Sequence, residues 1–458
     1  MENNRSQAGI NIDTPIRFQD ELPDATDLII VGGGIVGIFS ALYANRLGLK
    51  VLVLEKGRIA GEQSSRNWGW CRQQGRDAAE LPVVMEANRL WGEVDAELKG
   101  KCGFVRGGCL YLARNEKRLA KFSEWMEIAK THQLDTRWLS PQEVADKIDH
   151  RVGGATSQSP WAGGIWTPSD ARAEPWVAVP SVASLARSEG VAIVENCAAR
   201  SLDVQGGRVV GVVSEALRVR AEQVVLAGGA WSSLLLQHHG VFIPQLSFRA
   251  TVVQTDELPD FFDGTAIDEG LAIRRREDGG YTLADRDPVD LYLGRDAFRA
   301  APYYLPTLKS SLANPRILPF GPKEFPDSWL TPRRWRADEE SPFERTRVLD
   351  PNPNSKSVES ATGQFANLFP GLGVPKILNA WAGMVDTMPD IVPVIDHVPE
   401  LGGLILATGM SGHGFGMGPG VGKIVADLAL QRHPGHSMNR FRYSRFSDGS
   451  KLDVGPAV

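Results

Sequence analysis

The chain has 458 residues, 42% of them hydrophobic and 23% charged, with a formal net charge of −5. That length holds two or three domains around a large core, and the mild acidity excludes the footprint of a nucleic-acid binder. No apolar run is long enough to span a bilayer, and residues 1–24 lack the hydrophobic stretch of a secretory signal, so they predict a loose N-terminal arm over the surface. Cys71, Cys102, Cys109 and Cys197 show no CxxC spacing. Neither a disulfide framework nor a metal site is expected, and a reducing, cytoplasmic setting follows.

Residues 28–31 (Leu-Ile-Ile-Val) predict a short buried parallel strand that runs into Gly32-x-Gly34-x-x-Gly37. A helical pattern covers 35–47, and a second strand over 51–54 delivers Glu55. This is one βαβ unit with the acid at the offset a dinucleotide site needs. Gly32 permits the tight turn, Gly34 lets the backbone approach a pyrophosphate, and Gly37 lets helix and strand pack closely. The helix N-terminus offers partial positive charge to phosphates, and Glu55 offers acceptors to ribose hydroxyls. The motif alone does not separate NAD from FAD.

Residues 61–76 combine small polar residues with Trp68, Trp70, Arg66, Arg72 and Arg76, the composition of a ligand-binding loop. Helices are predicted over 80–98, 116–134 and 175–189, with sheet over 104–113. Ser140-Pro141-Gln142-Glu143 reads as a capping box opening a short helix. A strand at 191–195 and a meander at 199–220 around Gly206-Gly207 precede a buried strand, 224–227, that ends at Gly228-Gly229 before Trp231. This is a second crossover at which a nucleotide can lie. From 244 to 375 prolines, tryptophans and arginines accumulate, with strands over 249–255, 271–275 and 281–284 and a long loop region over 299–353. Finally, a strand over 404–407 feeds a glycine-rich turn through Gly412, His413 and Gly414, and a helix is expected over 419–431.

The expected class is therefore α/β. A Rossmann-like nucleotide-binding domain is built from 25–105, 165–243 and 375–435, and an inserted α+β substrate domain on an antiparallel sheet from 106–164 and 244–374. Four segments, 32–55, 64–72, 224–231 and 408–422, together with 381–393, resemble the FAD-dependent D-amino-acid oxidase superfamily, the branch with glycine oxidase and sarcosine oxidase. The resemblance spans nearly the whole chain. It implies a GR2-type fold with extended FAD: Gly32, Gly34, Ile35, Val36 and Gly37 at the pyrophosphate, Glu55 and Lys56 at the adenosine, and the Ala199 backbone at adenine. Ser64, Ser65, Asn67, Trp68 and Gly69 would follow the flavin, with Gly228 and Trp231 at the second crossover. Gly412, His413, Gly414 and Phe415 would meet the pyrimidine end of the ring, where oriented amides stabilise developing negative charge.

The implied reaction is oxidation of a C–N bond in an amino acid or secondary amine, with Arg72 and His413 as catalytic candidates. Arg72 is the leading candidate for the substrate carboxylate, Arg66 and Arg76 are weaker candidates, and Arg275 on the inserted domain's strand is a further one. O2 or a quinone-type electron-transfer partner would accept the electrons. Two departures from the sarcosine oxidase pattern stand out. Gly416 occupies the place of a lysine, which predicts freed space and a substrate bulkier than sarcosine. No cysteine lies beyond Cys197, which argues for non-covalent FAD. A flavin monooxygenase and a non-catalytic flavoprotein are the competing readings.

Overall fold

The computed structural model describes residues 9–149, 151–154, 159–286, 289–309, 315–322 and 324–455. Its first sheet follows the strand order Val394–His397, Leu404–Thr408, Arg218–Leu226, Ala25–Val31, Val51–Leu54, Ala192–Val194. All neighbours are parallel except the first pair. Leu28, Ile29 and Ile30 are at most 1% exposed, because helices or loops cover both faces, and this is why the strand reads as an unbroken apolar run. The expected meander is the hairpin Ala199–Gln205 and Arg208–Ser214, which joins Arg218–Leu226 antiparallel.

The second sheet is built around the long strand Leu246–Glu257, which pairs antiparallel with Gly280–Asp285, Asp290–Tyr292 and Ile377–Thr387. It continues through Leu271–Arg275 and Thr265–Ile267 to Cys109–Ala113, Gly163–Thr167 and Arg137–Leu139. Two strands join a different sheet from the one the expected division implies. Ile377–Thr387, expected in the nucleotide-binding part, belongs to this sheet by its full register with Leu246–Glu257. Gly163–Thr167, which straddles the expected boundary at 164/165, pairs with Cys109–Ala113.

Three further expectations are corrected. The described part of the N-terminal arm is held in place: Ile10 and Phe18 are buried, Glu195 accepts from the Arg17 and Phe18 amides, and Arg58 donates to the Ile12 and Thr14 carbonyls. The loop region 299–353 carries the helix Arg295–Lys309, the strand Arg316–Leu318 and the helix Pro342–Arg345. The last long helix is Gly414–Ala429, starting five residues before the expected 419.

Its glycines explain that early start. Each costs about 1 kcal/mol in a helix, but here they let the helix sit against its neighbours. A Cβ on Gly420 would lie 2.6 Å from the Val83 carbonyl oxygen, and one on Gly422 would lie 2.6 Å from the Phe39 backbone. Pro419 removes the amide that would bond the Phe415 carbonyl. The Trp91 indole N–H fills that gap at 3.2 Å. Among the described residues, no helix is long and apolar enough to cross a membrane.

Candidate active site

Both sheets face one cavity of about 550 Å3. At its first end Gly32 adopts φ +113°, and a Cβ there would lie 2.5 Å from the Ala227 carbonyl oxygen. Only glycine fits this turn. A Cβ on Gly37 would collide with the Gly32 carbonyl, so it is a packing residue and does not line the cavity. Gly34, Ile35 and Val36 do line it. Glu55 accepts from the Gly33 and Gly57 amides at 2.7 Å each, and its carboxylate faces the cavity beside Ala199. Burial pushes the Glu55 carboxyl up, against Lys56 and those two amides. Glu55 thus fixes the glycine turn while each oxygen retains a lone pair for a ribose hydroxyl.

Lys56 is drawn to Glu62 at 2.6 Å and lies 4.4 Å over the Trp231 ring, while the Trp231 indole donates to the same carboxylate at 3.0 Å. Both line the cavity with Gly228. The loop over 64–70 then runs along the wall. Ser64 Oγ accepts from the Ile35 amide at 2.9 Å, and Asn67 accepts from Gly69 at 2.7 Å. Ser64, Asn67 and Trp68 line the cavity, whereas Ser65 and Gly69 do not. Ser65 accepts from the Ile10 amide, and Gly69 packs against the Ala173 carbonyl and Arg274. Trp68 and Trp70 meet edge-on at 5.4 Å, and both line the cavity.

At the far end the turn Gly412, His413, Gly414, Phe415 opens the helix Gly414–Ala429 toward the cavity. His413 Nδ1 lies 3.0 Å from the fully buried Glu80 carboxylate, and the imidazole keeps 16% exposure toward the cavity. Burial, with Arg76 and Arg72, holds His413 down to about 4 against the pull of Glu80. Burial raises the Glu80 carboxyl, but His413, Arg76 and Arg72 outweigh it and leave it below its ordinary value. At neutral pH the pair is a carboxylate accepting from the Nδ1–H of a neutral imidazole.

Arg72 and Arg76 come together beside this pair. Arg72 donates to the Gln74 carbonyl and the Tyr111 hydroxyl. Arg76 is 3% exposed, and its Nη1 is buried with no hydrogen-bond partner. Burial and the neighbouring Arg72 push Arg76 down to about 9. Both line the cavity. Arg275 does not: its guanidinium donates to the Leu258 carbonyl and lies 4.9 Å over Tyr281. The alternation of the strand Leu271–Arg275 turns it away while its neighbour Arg274 pairs with Glu174. Arg66 is likewise committed, to Asp350 and the Ala382 and Ile10 carbonyls.

The expectation of freed space at Gly416 is also corrected. A Cβ there would lie 3.1 Å from the Trp70 carbonyl oxygen and 3.3 Å from Cys71 Cα, so the backbone leading to Arg72 fills the space. Sequence reasoning missed Glu80, Tyr111, Asp285, Arg286 and Tyr304. Glu80 was legible only as a helix start and Tyr111 only as a strand residue. Asp285 and Arg286 close a strand without any motif.

The geometry fits a dinucleotide: an acid and a backbone edge at one end, a glycine cradle in which Gly34 meets only Ser64 within 4 Å, and a helix N-terminus at the other. A family model described as FAD dependent oxidoreductase matches residues 27–428. The chain belongs to that family. FAD is its cofactor, and Glu55, Gly32, Gly34, Ser64, Asn67, Trp68 and the turn at His413 line the cavity. The chain is 23% identical to sarcosine oxidase subunit beta of Arthrobacter sp over 93% of its length and 92% of the relative's. It is 21% identical to human mitochondrial sarcosine dehydrogenase, of which it spans 42%. Among solved structures, L-amino acid deaminase from Proteus myxofaciens, in complex with anthranilate, superposes with TM-score 0.88 at 26% identity, covering 96% of this chain and all of that one.

Proposed function

We propose that this FAD-dependent oxidoreductase oxidises the C–N bond of an amino acid or N-substituted amino acid, with Arg72 and Arg76 holding the substrate carboxylate. The observation that carries this reading is the unpartnered, buried Nη1 of Arg76 at the cavity wall, beside Arg72 and the His413 turn. A buried guanidinium nitrogen without a partner is costly, and a bound carboxylate removes that cost. The named activities of the relatives, on sarcosine and on L-amino acids, support the class.

FAD supplies the two-electron acceptor for the substrate C–H hydride, and water then hydrolyses the resulting imine to a carbonyl compound and an amine. The protein's part is orientation. Arg72 and Arg76 fix the carboxylate, and Trp68 and Trp70 present an apolar wall that excludes water. His413 keeps its Nδ1–H on Glu80, which leaves Nε2 as an acceptor on the cavity side for a proton of the substrate amine. FAD is bound without a covalent link through sulfur: no described cysteine lines the cavity, and all four are buried elsewhere.

Anaerobic mixing with a panel of amino acids and N-alkyl amino acids is expected to bleach the flavin with at least one member. Bleaching only after NADPH would favour a monooxygenase, and no bleaching under either condition would favour a binding protein. Acid precipitation is expected to release the yellow colour into the supernatant; colour kept in the pellet contradicts the non-covalent assignment.

A further inference from the structure

Residues 335–350 leave the second sheet after the strand Arg316–Leu318 and cross to the nucleotide-binding part. The chain is fixed to the second sheet again at Asn354, which donates to Thr251 and Asp290. Over 341–350 it lies on the backbone that follows Glu55. Gly57 leaves room for it: a Cβ there would collide with the Arg347 carbonyl, and one on Gly61 would lie 3.3 Å from the Val348 side chain. Lys56 donates to the Thr346 and Arg347 carbonyls at 2.8 and 3.1 Å, and Glu62 accepts from the Leu349 amide at 3.1 Å. Phe343 is buried, meeting Trp231 edge-on at 5.8 Å and Trp335 at 5.4 Å. It lines the cavity with Trp231, Leu235 and Ala199.

Ion pairs fasten this segment. Arg347 meets Glu215 at 2.5 and 2.6 Å, Arg200 meets Glu344 at 2.6 Å, and Arg66 meets Asp350. Glu344 also closes the capping box on Ser341 that opens the short helix Pro342–Arg345. Arg347, Glu215, Arg200 and Glu344 do not line the cavity, so they hold the segment without touching what is bound inside. The Arg347 and Glu215 side chains keep 20% and 19% exposure. Phe343 and Leu349 are the large apolar side chains that 341–350 buries. A segment held by a few partly exposed ion pairs and little apolar burial opens locally at low cost.

We propose that residues 341–350 are a strap over the adenosine half of FAD, with Phe343 as its cavity-side face, and that the cofactor enters and leaves only when the strap lifts. This goes beyond the amine-oxidation reading and holds whichever substrate is oxidised; it rests on the adenosine half lying at the Glu55 end of the cavity. The latch of Arg347, Glu215, Arg200 and Glu344 stands outside the cavity. Loosening it changes how often the strap is open and leaves the bound cofactor's contacts in place. Entry and exit then speed up together, and their ratio, the dissociation constant, stays nearly fixed. A segment that only touched FAD would change exit alone.

The test uses the FAD-loaded protein and reads binding, not turnover. The rise of flavin fluorescence on dilution gives the rate of FAD release, and equilibrium dialysis gives the dissociation constant. Arg347→Met is expected to release FAD at least about tenfold faster, as the loss of a charge-assisted pair implies. Its dissociation constant is expected to stay within about threefold of the parent's, because the latch favours the closed strap with or without FAD. Phe343→Ala removes the face and leaves the latch, so here the dissociation constant itself is expected to rise, by at least about tenfold. Should Arg347→Met fail to fold, Glu215→Gln, which removes only the charge of the same latch, decides. Release at the parent's rate in the latch variant overturns the proposal. A dissociation constant that climbs in step with release overturns it as well, since that is what general loosening of the structure produces. If Phe343→Ala and Glu55→Ala both keep the parent's dissociation constant, the adenosine half lies elsewhere and the strap falls. Amine oxidation, which flavin bleaching tests, would stand through each of these outcomes.

Discussion

At the level of single residues, the site is governed by buried charge, and its pH dependence follows. Burial and Arg72 hold Arg76 down to about 9. A bound carboxylate favours the protonated guanidinium, so anion affinity is full below that value and lost as pH rises through it. Pentanoate, which does not itself titrate there, is expected to bind with constant affinity at pH 7–8 and to weaken above pH ~9. In Arg76→Gln this alkaline limb should vanish; its persistence would remove Arg76 from the site. His413 carries the opposite sign. Its folded value of about 4 lies below the ordinary 6.5, so the folded state binds fewer protons than the unfolded one between them. Stability is therefore present above 6.5 and lost as pH falls toward 4, by on the order of 3 kcal/mol. Thermal melts at pH 7 and pH 4.5 should show a larger loss for the parent protein than for His413→Gln, and equal losses would contradict this. Arg72 and Arg76 were legible in the sequence because they follow a recognisable loop. Glu80 was not, since a buried charge on an amphipathic helix looks like any solvent-facing one until the fold decides what covers it.

Secondary-structure elements were readable wherever one pattern dominated. The capping box at Ser140 and Glu143 is present as expected, the first helix and second strand fall within a residue of their predicted bounds, and the first strand begins three residues before its expected start at 28. The helix Gly414–Ala429 was misplaced at its start because glycine propensity argues for a turn, whereas close packing against Phe39 and Val83 reverses the balance. Its internal Pro419 makes a coupling measurable. Trp91→Phe strands the buried Phe415 carbonyl and is expected to cost about 1–3 kcal/mol, besides whatever the smaller ring loses in packing. Pro419→Ala restores an amide able to take that carbonyl, so in this background the Trp91→Phe penalty should shrink. A double-mutant cycle from denaturant melts measures the difference, and strict additivity would show that the indole N–H does not substitute for the missing amide.

For the whole molecule, the two sheets share segments more thoroughly than a reading by composition suggested. Asp386 belongs to Ile377–Thr387 of the second sheet, yet it accepts from the Gly409 amide at 2.8 Å and Gln245 at 2.9 Å, holding the turn that leaves the first sheet. Asp386→Ala should cost about 1–3 kcal/mol by leaving these donors unpaired. It should also weaken FAD retention on gel filtration, because that turn leads to His413. Unchanged retention would confine Asp386 to a structural role. The fold class was legible from the two glycine-rich crossovers, but the pairing of Ile377–Thr387 was not, since nothing in an apolar strand names its partner. The order of pairing has a consequence for synthesis. Ala25–Val31 finds one neighbour in Val51–Leu54 but waits for Arg218–Leu226 to find the other, which waits in turn for Leu404–Thr408. A growing chain therefore carries an apolar strand edge until Leu404–Thr408 has left the ribosome, a template for mispairing in the interval. Cofactor loading is accordingly a late event, after the last parallel strand is seated, and chains cut short before it are candidates for chaperone capture instead of partly active enzymes.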